Sequence, residues 1–480
     1  MRTWGKEQLR RRVLYMIDVL DFSEPIGDPM VEIGRQGLVV FCEKNKFTSF
    51  EELKKAIEKL FNIYVFKTSG RISQIFSSNS KFTHNSTKDN LDERLRQATE
   101  LYEVLINGSE NGYCLSCGNK DNLCSVNKTI LPLTTGNSNV NFTSNFSNQF
   151  LICKKCMTSL FFMPINMQKV AGRMAFLISD NEEINRYWSE KNFESFKFNK
   201  LKQFDSLIDS KTNIFENFIY ETIERLQEEE LFGNITFYLI SNVDKGSDVD
   251  IVHINKNQIY FIHKVAPNFL QSKLSTDGKS EWNSLIIKYS SMDKDKKYRT
   301  RNETVDDKKI TIKFDDEVIR GENYKAAIKY FNPLLSSFIQ GKSILGFFLQ
   351  SRSSWFLTSI YLKEIMNMRE ERLEVIKKVA DKLQIFNEDE KYFIDKIIFP
   401  IEKTKSVNEF REKLRLLMRK YLAKTQESLF TVDELVFQIL PAGENWQETK
   451  DIFLIALYEK LGQDVELEDI TLEEGDSENE

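Results

Sequence analysis

Cys114-Leu-Ser-Cys117-Gly118 and, 35 intervening residues after Cys117, Cys153-Lys-Lys-Cys156 decide how this 480-residue chain is read. A two-residue gap lets both sulfurs of a pair turn inward on one tight turn. Two such turns facing each other present four thiolates to one tetrahedral ion, usually Zn²⁺. Gly118 fits this reading, because the turn behind a metal knuckle often needs a positive φ that glycine takes without steric cost. Cys114, Cys117, Cys153 and Cys156 are therefore the expected ligands of one structural zinc. They would lie in a zinc-ribbon-like module over about residues 107–160, with Cys124 as the rival ligand.

Other cysteine chemistries fit less well. A redox CxxC needs one pair and leaves the other unexplained. A disulfide framework suits a short secreted chain. A catalytic zinc commonly uses His ligands, and the three His, at 84, 253 and 263, are all distant in sequence from the cysteines. His253 and His263 read as structural residues of strands. The chain shows no phosphate-binding loop, dinucleotide fingerprint, nucleophile elbow or zinc-protease motif, and residues 341–346 miss the phosphate-loop spacing. A catalytic role is therefore not expected.

A hydrophobic content of 41% and a charged content of 29% are those of a globular protein with several domains. No apolar run reaches membrane-spanning length. The basic start leads to no small-residue cleavage site, so a cytoplasmic location without membrane association is expected. Net charge is −5, yet residues 464–480 hold nine acids and no base, and removing them leaves +4. A mildly basic body with an acidic tail permits nucleic-acid binding without demanding it. The tail reads as a solubilising end.

The fold class expected is α+β: a mixed α/β N-terminal part carrying the zinc module, then a C-terminal helical bundle. The divisions are 1–232, a strand-rich middle at 233–330, a bundle at 331–463 and the tail at 464–480. Pro25, Gly27 and Pro29 mark a turn, and 37–42 is a buried strand or helix. Residues 50–64 space Leu53, Ile57, Leu60 and Phe61 along one helical face, with Thr48 or Ser49 as cap. Another helix is expected over 91–106. Between the cysteine pairs Phe142, Phe146 and Phe150 recur every four residues, as packing for the module or as a stacking surface for nucleic acid. Residues 157–232 read as mainly helical, and 235–240, 250–254 and 258–263 as three strands.

Residues 294–301 form a basic loop whose Lys294, Lys296, Lys297, Arg299 and Arg301 are candidate phosphate contacts. Candidate C-terminal helices are 354–386, 410–425, 431–440 and 447–461, with Pro400 and Pro441 between helices. In the second, Arg411, Arg415 and Arg419 form a basic stripe beside Phe410, Leu414, Leu417 and Tyr421. The stripe is either a solvated face or a contact with a nucleic-acid backbone.

These pieces resemble a known family. The two cysteine pairs, the segment Gly27-Asp-Pro-Met-Val-Glu-Ile-Gly34 ahead of them and the helical C-terminus look like the CXXC-CXXC family of CRISPR-associated proteins. These are large subunits of type I-B Cascade complexes. The resemblance implies a non-catalytic large subunit in RNA-guided antiviral DNA targeting. Its implied partners are the Cascade backbone and repeat-handling subunits, a guide RNA, target double-stranded DNA and a helicase–nuclease or other downstream effector. Base pairing then reads the sequence, while protein reads the flanking motif and opens the duplex. The resemblance also implies that a small helical product can start inside the gene, here at Met366 or Met368 within the expected 354–386 helix. The alternative is a stand-alone zinc-ribbon DNA-binding protein.

Overall fold

The computed structural model describes residues 22, 25–47, 50–66, 90–108, 110–120, 123–126, 130–131, 150–170, 173–197, 203–204, 214–243, 246–265, 281–290, 300–305, 308–313, 331–443 and 445–461, with single residues at 76, 80, 82 and 328. The chain is α+β, as its sequence indicates. It divides into two compact units, Met1–Ile259 with Ser290–Gln340, and Tyr260–Tyr289 with Gly341–Glu480.

In the first unit, α1 (Pro29–Asn45), α2 (Phe50–Phe66) and α3 (Leu91–Asn107) precede a two-stranded hairpin, β1 (Leu123–Val126) with β2 (Phe150–Cys153). Helix α4 (Lys154–Phe162) follows β2 directly and packs on α1. A five-stranded sheet then forms from β3 (Gln168–Val170), β4 (Arg173–Ser179), β5 (Gln203–Phe204), β6 (Ile235–Val243) and β7 (Gly246–Ile254), in the order β5-β3-β4-β6-β7. Only β3 and β5 pair in parallel. Helices α5 (Glu182–Lys197) and α6 (Ile214–Glu228) occupy the same stretch of chain.

The described part of 157–232 is mainly helical, as read, but it also carries three strands that the reading did not include. Strand β4, Arg-Met-Ala-Phe-Leu-Ile-Ser, has a buried run from Met174 to Leu177 and so lacks the alternation that marks a half-exposed strand. The reading of 258–263 as a strand is corrected, because Lys256–Val265 is a helix, α7. Asn255 and Gln258 close it reciprocally: Gln258 N–H donates to Asn255 Oδ1 and Asn255 N–H donates to Gln258 Oε1, each at 2.9 Å. His253 bonds Thr236 Oγ1 at 3.0 Å across the β6–β7 pair, while His263 stacks on Tyr260.

After α8 (Glu281–Tyr289), the hairpin β8 (Thr300–Val305) and β9 (Lys308–Lys313) precedes α9 (Pro333–Ile339). The second unit continues with α10 (Leu345–Ser351), α11 (Trp355–Glu364), α12 (Glu370–Leu383) and α13 (Glu390–Phe393). From α13 the helix runs on through a π-helical turn into α14 (Phe399–Glu402), and α15 (Val407–Thr425) and α16 (Trp446–Tyr458) follow. Pro400 therefore lies inside a helical stretch, not between helices; at the start of α14 its missing N–H is least costly.

The single helix expected over 354–386 is two. Asn367 takes a left-handed φ of 51°, Met366 N–H donates to Tyr361 O and Met368 N–H to Leu362 O. These bonds cap the last turn of α11 and stop it. Met366 and Met368 thus sit, half-buried, in a connection and not within a helix. Ile376, Val379, Ala380 and Leu383 of α12 are buried, α12 packs against α16, and the Ile452–Leu457 run of α16 is fully buried. Each of these side chains larger than alanine contributes about 1.5–3 kcal/mol of burial. The N-terminal segment before Phe22, Thr48, Ser49, Phe142, Phe146 and the acidic tail lie outside the described residues.

Candidate metal centre

The four paired cysteines come together. Their Sγ atoms all lie within 4.8 Å of one another, with Cys117 and Cys153 3.6 Å apart. Four thiolates about 2.3 Å from one tetrahedral ion stand about 3.8 Å apart, so the cluster has the right size without rearrangement. Cys114, Cys153 and Cys156 are buried and Cys117 is exposed, so the site is nearly closed. Four cysteines so placed could bind a metal ion.

Local backbone chemistry makes this geometry. In the first knuckle Gly118 N–H donates to Cys114 O at 2.9 Å, and Gly118 adopts φ 73°, where an L side chain would be strained. Cys114 N–H closes the loop onto Asn119 O at 2.7 Å, and Leu115 N–H pins the knuckle to Leu151 O of β2 at 2.9 Å. In the second pair Cys153 is both the last residue of β2 and the N-cap of α4, its sulfur accepting from Cys156 N–H at 3.4 Å. Unpaired amides at a helix N-terminus favour negative charge, which suits thiolates there.

The Cys114, Cys153 and Cys156 thiols influence one another's protonation. Hydrogen bonds from Cys153 and Cys156 hold Cys114 far below the usual thiol range. Sharing with Cys114 pushes Cys153 up to about 12 and Cys156 higher still. Cys124 is no part of the cluster. It sits on β1, its S–H directed at Ile152 O at 3.2 Å, and burial pushes its thiol up to about 11. Cys42 is buried in α1 and its thiol is pushed up to about 12, also by burial.

The Gly27–Gly34 segment, which no local rule tied to the cysteines, turns out to brace them. Asp28 caps α1, its Oδ1 accepting from Met30 N–H at 2.9 Å. Its other oxygen accepts from Ser116 Oγ, between Cys114 and Cys117, at 2.8 Å. One carboxylate thus ties the first knuckle to the start of α1. Gly34 lets α1 meet α4: a Cβ there would stand 2.1 Å from the Ser159 carbonyl oxygen. Gly37 repeats the approach one turn on, 2.8 Å from Phe162 O. Glu32 folds back to accept from Ile26 N–H and pairs with buried Arg35. Hence α1 is docked on the helix that grows from Cys153. A glycine pair on one helical face was the available signal for this approach.

A family model described as the DevT C-terminal domain matches residues 350–480. No curated protein and no solved structure matches. The match covers α11 to α16 and not the cysteine cluster. It is compatible with a CRISPR-associated protein.

The candidate nucleic-acid residues are placed unevenly. Lys294, Lys296, Lys297 and Arg299 lie outside the described residues. Arg301 lies on β8 and not in a loop, which corrects the 294–301 reading at that end. Arg411, Arg415 and Arg419 are all exposed on α15, away from its buried Phe410, Leu414, Leu417 and Tyr421. None of the three makes an ion pair among the described residues, so their charge is offered to solvent. No described helix is long and apolar enough to cross a membrane.

Proposed function

We propose that this chain is the non-catalytic large subunit of a type I-B CRISPR Cascade complex. Its work would be flanking-motif recognition, target duplex opening and strand stabilisation. The observation that carries the reading is a combination: the DevT C-terminal match over 350–480 in a chain whose Gly27–Gly34 segment braces a four-cysteine cluster. The partners would be the backbone and repeat-handling subunits, guide RNA, target double-stranded DNA and a helicase–nuclease or other effector. The ion would be Zn²⁺, held by Cys114, Cys117, Cys153 and Cys156 in a structural role. Bound there it supplies folding energy and rigidity, with no open coordination position for chemistry. The chain's own residues then do the positioning, the zinc module as a rigid platform and the exposed α15 arginines as backbone contacts for an opened strand.

The test is purification of the tagged chain from cells expressing its neighbouring genes. The expected result is co-elution with the other subunits and a guide RNA of uniform length. Elution of the chain alone, binding duplex DNA by itself at full affinity, would support the stand-alone zinc-ribbon reading instead.

A further inference from the structure

A cavity of about 470 Å³ opens in the second unit where three chain turns meet. Its walls come from the cap of α11 (Met366, Met368, Arg369), the π-helical turn at residues 434–439 (Phe437, Gln438) and the start of α16 (Asn445). Its volume lies within the range of small-molecule sites, which is ~300–1,000 Å³. The lining is chemically mixed. Met366, Met368 and Phe437 offer polarizable and aromatic faces. Gln438 and Asn445 offer amide donors and acceptors. Arg369 is an exposed cation, and buried Arg372 and half-buried Glu448 add a second cation and a carboxylate to the wall.

The wall is built, not incidental. Thr431 and Glu434 cap the segment reciprocally, Thr431 N–H donating to Glu434 Oε2 at 2.7 Å and Glu434 N–H to Thr431 Oγ1 at 3.1 Å. The backbone then widens into π turns, with Leu440 N–H reaching Leu435 O at 2.9 Å. Such widened turns gather at functional sites. Here the extra residue per turn leaves Phe437 65% exposed, an aromatic ring that burial does not explain. In another wall, Asn367 takes a left-handed φ of 51° between Met366 and Met368.

We infer that this cavity receives one unstacked nucleobase of a single-stranded nucleic acid. The base would lie against Phe437 and the methionines, and its edge would meet Gln438 and Asn445. Arg369 would contact the adjoining phosphate. A planar aromatic face, amides at its edge and one cation outside is the complement a nucleotide requires. Glu448, also in the wall, can accept from an exocyclic amino group, which favours cytosine, adenine or guanine over thymine. The inference rests on the proposed handling of an opened strand and names where one base of it would go.

The experiment uses the full chain, alone and in its complex. Single-stranded oligonucleotides carrying 2-aminopurine are titrated for stacking, and photo-crosslinked adducts are mapped by mass spectrometry. Expected are adducts on the peptides holding Met366–Arg369 or Phe437, and at least a fivefold affinity loss in Phe437→Ala, the effect of removing one stacking partner. Val104→Ala, which removes an apolar residue 70% exposed on α3 of the first unit, should leave affinity unchanged. Adducts confined to other peptides, or equal affinity in Phe437→Ala, overturn the inference. So does competition by an aromatic peptide but not by oligonucleotides, which would make the cavity a protein-docking site. If the chain joins no guide-RNA complex yet places a base here, the larger reading fails and this one stands.

Discussion

Replacing Gly34 with alanine tests the link between the Gly27–Gly34 segment and the cysteine cluster. Inside a helix this change ordinarily stabilises by about 0.5–1 kcal/mol. Here the new Cβ would stand 2.1 Å from Ser159 O and 2.6 Å from Ser159 C. Both are backbone atoms of α4, so no side chain can swing aside. Reaching a contact of ~3.5 Å requires α1 and α4 to part by roughly 1.4 Å. Overpacking costs about 1–3 kcal/mol and occasionally more, and with backbone on both sides the upper end applies. Set against the helix-propensity gain, a net loss of about 2 kcal/mol or more is expected. A metal site tolerates only about 0.2 Å in its bonds, and Cys156 rides on α4 three residues before Ser159, so metal retention should fall as well. Urea unfolding read by circular dichroism, with metal measured on the same samples, reports both. Gly346→Ala is the control, since a Cβ there meets nothing within 4 Å. Wild-type stability and full metal content in Gly34→Ala would refute the reasoning.

Cys124→Ser should keep the metal while Cys153→Ser loses it; elemental analysis of each variant decides, and metal loss from Cys124→Ser would restore the rival ligand. For Glu32, burial raises the carboxyl's pKa, but hydrogen bonds and charge from Arg35, with the Ile26 amide and Gln36, prevail and hold it below the usual value of 4.5. The stability it contributes is therefore present above about pH 4.5 and lost as pH falls through the lowered folded-state pKa. Glu32→Gln should be less stable than wild type at neutral pH and should lose less on acidification, and parallel pH profiles in urea melts would contradict this. Reversing Arg411, Arg415 and Arg419 to glutamate should weaken single-strand binding more at low salt than at high salt, with guide loading unchanged. Unchanged affinity would return the stripe to a solvated face.

The four-cysteine cluster was legible because a paired CxxC needs nothing beyond its own spacing. Helices α2 and α3 were legible from their apolar stripes, and α15 from Phe410, Leu414, Leu417 and Tyr421. Strand β4 was not, since Met174 to Leu177 is buried on both faces and such a run has no period to read. The aromatic β-branched run at 258–263 suggested a strand, and the cap formed by Asn255 and Gln258 outweighed it. That Asn-x-x-Gln spacing was the signal to weigh. The break in the expected 354–386 helix depended on one residue, Asn367, whose tolerance of a left-handed φ is a C-cap signal easily lost in a helical run. The Asp28–Ser116 tie joins residues 88 apart, and pattern within one element cannot show such a bond.

Duplex opening by the assembled guide-RNA complex, with and without this chain, tests the central claim most directly. The readout is fluorescence of 2-aminopurine placed in the target next to the flanking motif. The account predicts that the complex lacking this chain still holds its guide but leaves a matched duplex closed. Adding the zinc-loaded chain should open it, and only when the flanking motif is present. Equal opening without the chain would contradict the account.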